Sequence, residues 1–141
     1  MTGFSAHPAV SMEQVRSVEN LLTTTGRTVF FEEEKMLDAV TALSGSGPAY
    51  FYYIVRAMVE AGKEMGMTEA VASTLVKQTM LGSLQLINNA AKPYDELIKT
   101  VASKGGTTEA AIKTFDDGKV HRSLMDGIIN AQKRSSELSN S

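Results

Sequence analysis

The residues with the most chemistry to offer lie in one short stretch, Ser103-Lys104-Gly105-Gly106-Thr107-Thr108, set directly before a helical pattern. Two adjacent glycines let the backbone turn tightly and expose successive N–H groups, and the serine and threonine hydroxyls add further donors at a helix start. A turn of this kind holds a small anion with backbone alone and needs no cationic side chain. The same residues also suit a plain glycine-rich turn in which Thr107 or Thr108 caps the helix. A second candidate is Ser44-Gly45-Ser46-Gly47-Pro48. It lacks the Gly-Lys-Ser/Thr ending of a P-loop. As a dinucleotide fingerprint it lacks the third glycine, whose place Tyr50 takes, and no strand precedes it. What remains is either a tight corner between helices or a glycine pair with Ser44 and Ser46 as donors.

Other chemistries find little support. His7 and His121 have no carboxylate or second histidine at ligand spacing, so no metal site is expected. Glu32-Glu33-Glu34 reads as a solvated turn and Asp116-Asp117 as a helix end. Ser44 and Ser46 have no nearby base to activate them. The chain has no cysteine, which excludes disulfides and thiolate sites and is compatible with a cytoplasmic location. A net charge of −2 gives no electrostatic case for nucleic acid. No apolar run reaches membrane-spanning length, so no membrane partner is expected, and Pro8 interrupts any signal-like start.

The elements that must position these residues are mostly helical. With 141 residues, 43% of them hydrophobic and 21% charged, the chain is long enough for a folded domain. Ser11 and Gln14 form a capping box before Val15, Val18, Leu21 and Leu22, and Gly26 ends that helix. Arg27 to Phe31 is the one convincing strand, which must pair with another chain or with residues upstream of Met1. Further helices are expected over Glu34–Leu43, Pro48–Met65, from Thr68 to about Asn89, Asp95–Ala102, Glu109–Phe115 and Val120–Leu138, with a frayed tail at Ser139-Asn140-Ser141. The helix from Pro48 is apolar on two faces, one with Tyr50, Tyr53, Ile54, Ala57, Met58 and Ala61, the other with Phe51, Val55 and Val59. The next spreads Val71, Leu75, Met80, Leu84 and Ile87 around its axis. Helices apolar on both sides must be buried on both sides. Either a second copy covers them or the shorter helices of a monomeric bundle do.

Three segments in this order, Asp38-Ala39-Val40-Thr41-Ala42-Leu43-Ser44-Gly45-Ser46-Gly47-Pro48-Ala49-Tyr50, Gln78-Thr79-Met80-Leu81-Gly82 and Val101-Ala102-Ser103-Lys104-Gly105-Gly106-Thr107-Thr108, resemble the pyrroline-5-carboxylate reductases. The resemblance runs from about Gln14 to Leu138. It implies an enzyme of proline biosynthesis that reduces 1-pyrroline-5-carboxylate to L-proline with NADPH or NADH. It implies an all-α helical bundle forming an interlocked homodimer, with dimers assembling further. Residues 34–141 would be the dimerisation and substrate-binding domain. Residues 1–33, one helix and one strand, would be the remnant of a Rossmann domain that binds the cofactor and is otherwise missing.

By the same resemblance, the substrate carboxylate is held at Ser103, Gly105, Gly106, Thr107 and Thr108. Thr108 is the catalytic residue, its hydroxyl bonding the imine nitrogen. Ser44, Gly45, Ser46, Gly47 and Pro48 form a corner that also lines the cleft between cofactor and substrate. Lys104 stands where many members carry proline, and Thr100 where some carry asparagine near the cofactor. The chain alone is expected to be inactive, for want of a cofactor site. The alternative is a non-catalytic helical oligomerisation module.

Overall fold

The computed structural model describes residues 1–140, and Ser141, the end of the expected tail, lies outside the described residues. The elements run β1 (Thr2–Phe4), α1 (Met12–Thr23), β2 (Thr28–Phe30), α2 (Met36–Val40), a π-helical turn (Thr41–Gly45), α3 (Gly47–Glu64), α4 (Glu69–Asn89), α5 (Tyr94–Val101), α6 (Thr107–Asp117) and α7 (Val120–Ser139). The fold is all-α apart from one short parallel strand pair. It divides into two compact units, Met1–Pro48 with Met125–Ser141, and Ala49–Leu124.

In the first unit, α1 begins as the sequence requires. The Ser11 hydroxyl accepts from the Gln14 amide at 3.3 Å, and Gln14 Oε1 accepts from the Ser11 amide at 3.0 Å. The helix buries Val15. The strand expected over Arg27–Phe31 is Thr28–Phe30, and a partner for it lies within the chain. β1 pairs with it in parallel, Thr2 opposite Thr28 and Phe4 opposite Phe30. The Phe4 and Phe30 rings lie 5.3 Å apart. Residues 1–33 thus hold two strands and a helix, not one strand and a helix. Thr2-Gly3-Phe4 is too short, with a glycine at its centre, to carry a strand signal of its own. Gly3 is needed there: a Cβ would stand 2.8 Å from Val40 Cγ1 of α2.

The helix expected over Glu34–Leu43 is shorter. It gives way at Thr41 to a π-turn in which the Ser46 amide donates to the Thr41 carbonyl at 2.8 Å. The wide turn takes up an extra residue in a stretch rich in glycine and serine, which hold an α-helix weakly. Ser139, expected in the frayed tail, is the last residue of α7. Three hydroxyls of α7 donate to the Asp38 carboxylate: Ser135 at 2.7 Å, Ser136 at 2.6 Å and Ser139 at 3.1 Å. The Ser136 and Ser135 hydroxyls, opposed in part by desolvation and helped by Ser139, hold the Asp38 carboxyl below the usual carboxylate range. A carboxylate stabilised in the fold contributes above its unfolded pKa of about 3.9 and loses that contribution as pH falls through the lower folded value. Asp38→Ala is therefore expected to speed amide exchange along the end of α7 at neutral pH. In strong acid, below the folded pKa, wild type and variant should exchange alike. Native-state hydrogen exchange across that range checks both.

In the second unit, Thr68 caps α4 by accepting from the Val71 amide at 3.4 Å. Lys63 of α3 and Glu69 of α4 pair at 2.9 Å across the turn between them. That hydrogen bond and charge contact raise the lysine pKa and lower the glutamate's. Both groups are solvent-exposed, so the pair orders the turn more than it stabilises the unit. α3 meets α4 where Gly62 faces Ala72, close enough that a Cβ on Gly62 would stand 2.7 Å from Ala72 Cβ. Ala72 and Val76 are buried. Most other large apolar side chains of these helices are exposed, among them Phe51, Tyr52, Tyr53, Leu75, Leu81 and Leu84. The two-sided apolar character read from the sequence is present and uncovered.

Candidate functional site

The Ser103–Thr108 segment joins α5 to α6 in the second unit. Gly105 sits at φ +74, in the left-handed region where glycine carries no steric penalty. Gly106 closes the turn, its amide donating to the Ser103 carbonyl at 2.9 Å. A side chain there has no room: a Cβ would stand 2.5 Å from Ser103 Oγ and 3.0 Å from the Ser103 carbonyl oxygen. Gly106 itself is the N-cap of α6 and makes no side-chain cap, so the expectation that Thr107 or Thr108 caps the helix is overturned. The tight Gly106 turn brings the chain into helical geometry one residue earlier, and Thr107 becomes the first helical residue.

Not every amide of the loop is available. That of Gly105 donates to Glu109 Oε2 at 2.6 Å, and that of Gly106 is spent on the turn. Among the described residues, the amides of Thr107 and Thr108 and the hydroxyls of Ser103, Thr107 and Thr108 have no hydrogen-bond partner. These are the orphan donors of a helix N-terminus, joined by three hydroxyls, and they suit a carboxylate. Thr108 is half-buried and Ser103 exposed. The glycines shape the turn, while Ser103, Thr107 and Thr108 carry the free donors.

Ser44–Pro48 ends the first of the two segments that make up the first unit. Ser44 and Gly45 close the π-turn, Gly47 opens α3 and Pro48 follows in its first turn, where a missing N–H costs nothing. Gly47 is buried, Ser46 half-buried and Ser44 exposed. No strand leads into this turn. The one connection from a strand into a helix that suits a pyrophosphate cradle by position, Ser5–Ser11 between β1 and α1, contains no glycine. The residues present do not fit the pyrophosphate of a dinucleotide.

Sequence reasoning missed two features. Glu109 turns its carboxylate back onto the loop, a habit of acidic residues in a first turn that the spacing from Gly105 could have signalled. On the second unit, Ile98, Ile112, Phe115, Val120 and Leu124 line an open groove of about 940 Å³ on α5, α6 and the start of α7. Those apolar positions come from three separate elements, so no single periodicity announces the groove.

Residues 34–138 match the pyrroline-5-carboxylate reductase dimerisation family. The chain belongs to that family. It is 39% identical over 137 residues to the pyrroline-5-carboxylate reductase of Pseudomonas aeruginosa, covering 97% of this chain and 50% of the relative. A solved pyrroline-5-carboxylate reductase from Coxiella burnetii superposes with a TM-score of 0.88 at 32% identity, over 96% of this chain and 50% of that one. The Plasmodium falciparum enzyme, solved with NADP bound, superposes with a TM-score of 0.84 at 25% identity, over 94% of this chain and 51% of its own. The chain thus spans about half the length of the relatives it matches. Among the described residues no helix is long and apolar enough to cross a membrane.

Proposed function

We propose that residues 34–141 are the dimerisation and substrate-binding part of a pyrroline-5-carboxylate reductase, which reduces 1-pyrroline-5-carboxylate to L-proline with NAD(P)H in the cytoplasm. We assign residues 1–33 to the end of its cofactor-binding domain. The parallel β1–α1–β2 unit supports that assignment, because such units build dinucleotide-binding sheets. Uncovered apolar helices support a homodimer, and further assembly of dimers is part of the same proposal. The observation that carries the function is the free donor set at the head of α6, in a chain of this family.

The substrate is a cyclic imine with a carboxylate beside the ring nitrogen. In this reading the Thr107 and Thr108 amides, with the Ser103 hydroxyl, fix the carboxylate and so orient the C=N bond. The Thr108 hydroxyl donates to the imine nitrogen, which makes the adjacent carbon more electrophilic. Gly105 and Gly106 hold the turn, and Ser44–Pro48 lines the cleft. A bound nicotinamide cofactor would supply the hydride, and the ring nitrogen takes its proton from solvent as the imine becomes an amine. This chain's share of rate acceleration is orientation and polarisation, worth several kcal/mol when geometry is fixed.

In the reductase that joins this chain to its cofactor domain, Thr108→Ala is expected to lower kcat by about 10²-fold, the lower range for loss of one preorganised hydrogen-bond donor, while Thr108→Ser keeps most of it. Steady-state kinetics of NADPH oxidation test this; an Ala variant within twofold of wild type takes Thr108 out of the mechanism. The 141 residues alone should neither bind NADPH nor turn over. Saturable binding seen by NADPH fluorescence would put cofactor contacts in this chain.

A further inference from the structure

Among the described residues, Glu109 is the one of α6 whose side chain is seen to hydrogen-bond the loop. Its Oε2 accepts from the Gly105 amide at 2.6 Å, short for an N–H···O bond, as expected when the acceptor is charged. Gly105, at φ +74, and Gly106 have the freest backbone in the segment. The turn is closed on one side by Gly106 donating to Ser103 and on the other by Gly105 donating to Glu109. The second bond ties the turn to α6, which carries the free amides of Thr107 and Thr108, alongside the Ala110 amide donating to the Gly106 carbonyl at 3.2 Å.

We propose that Glu109 is a positioning residue for the substrate carboxylate. By anchoring Gly105 to the first turn of α6, it fixes the carboxylate-binding amides of Thr107 and Thr108 in one arrangement before substrate arrives. Donors held in place beforehand bind without an ordering cost. The inference rests on the reductase reading of this loop and adds a residue to it. Two effects of Glu109 oppose each other: its acceptor atom locks the turn, and its negative charge repels an incoming carboxylate. Glutamine keeps the acceptor and drops the charge, whereas alanine drops both, so comparison of the two variants isolates the lock.

Glu109→Ala in the full-length reductase is expected to raise KM for 1-pyrroline-5-carboxylate about fivefold or more, with kcat and KM for NADPH within about twofold. Glu109→Gln should have a KM at or below wild type. The Gly105 amide, followed by NMR in the 141-residue chain, should exchange about tenfold faster in Glu109→Ala than in wild type, and near the wild-type rate in Glu109→Gln. Equal KM values for the Ala and Gln variants, an unchanged KM in the Ala variant, or unchanged Gly105 exchange would each overturn the proposal. A wild type without pyrroline reduction would instead sink the reductase reading. Acetate titration of the chain then decides the positioning role: the Thr107 and Thr108 amide shifts must respond more weakly in the Ala variant than in the Gln variant, and equal responses overturn it.

Discussion

In the reductase proposed to contain this chain, Gly106→Ala should lower kcat/KM for 1-pyrroline-5-carboxylate by about 10²-fold or more, the loss that a misplacement of about 1 Å produces. A methyl group at Gly106 meets the Ser103 hydroxyl at 2.5 Å and the Ser103 carbonyl oxygen at 3.0 Å. The hydroxyl can rotate away, but it is one of the carboxylate's proposed donors. The carbonyl can withdraw only by opening the turn, because it is the acceptor of the Gly106 amide itself. Either response moves the amides of Thr107 and Thr108 from their places. The loop is largely exposed, so the melting temperature should fall little while activity collapses. Steady-state kinetics alongside thermal unfolding separate the two quantities. Activity within twofold of wild type would show that the loop does not need its present geometry and would detach it from the substrate.

What the sequence made legible was whatever is decided locally. Ser11 with Gln14, and Thr68 before α4, announce helix starts because a cap and its amide lie within one turn of each other. The glycine pair before Thr107 was legible for the same reason. Features made by distant partners were not. β1 is three residues long and becomes a strand only because Thr28–Phe30 lies beside it. Asp38 looks like an ordinary first-turn acid until the serines of α7, some hundred residues on, reach its carboxylate. In the loop, the pattern shows that donors are present but not which are spent internally. Two bonds, Gly106 to Ser103 and Gly105 to Glu109, shift the free donors from the glycines to the threonines.

Leu84→Asp is expected to abolish a homodimer and to unfold much of the second unit with it. The chain exposes 11195 Å², whereas a folded monomer of its mass exposes about 7,100 Å². The excess, about 4,000 Å² per chain and so about 8,000 Å² for two copies by that scaling, is more than the roughly 2,000–5,000 Å² in total that many permanent homodimers bury. Leu84 is 53% exposed and lies on α4 with Val71, Leu75, Leu81 and Ile87, all uncovered. The groove lined in part by Ile98, Ile112 and Phe115 is a further open apolar surface. Helices that pack so little within their own chain take their stability from a partner, since most helical stability in proteins comes from packing the apolar face. Folding and association are then one equilibrium, and the melting temperature should rise with protein concentration. An aspartate at Leu84 would have to bury an unpaired charge in the dimer, which costs far more than the apolar contact it removes. Leu84→Met, close in volume and shape, should leave the assembly intact. Sedimentation and far-ultraviolet circular dichroism at micromolar concentration read both outcomes. A wild-type chain that sediments as a folded monomer, melting at a temperature independent of its concentration, would show that α3 and α4 are covered by something other than a second copy.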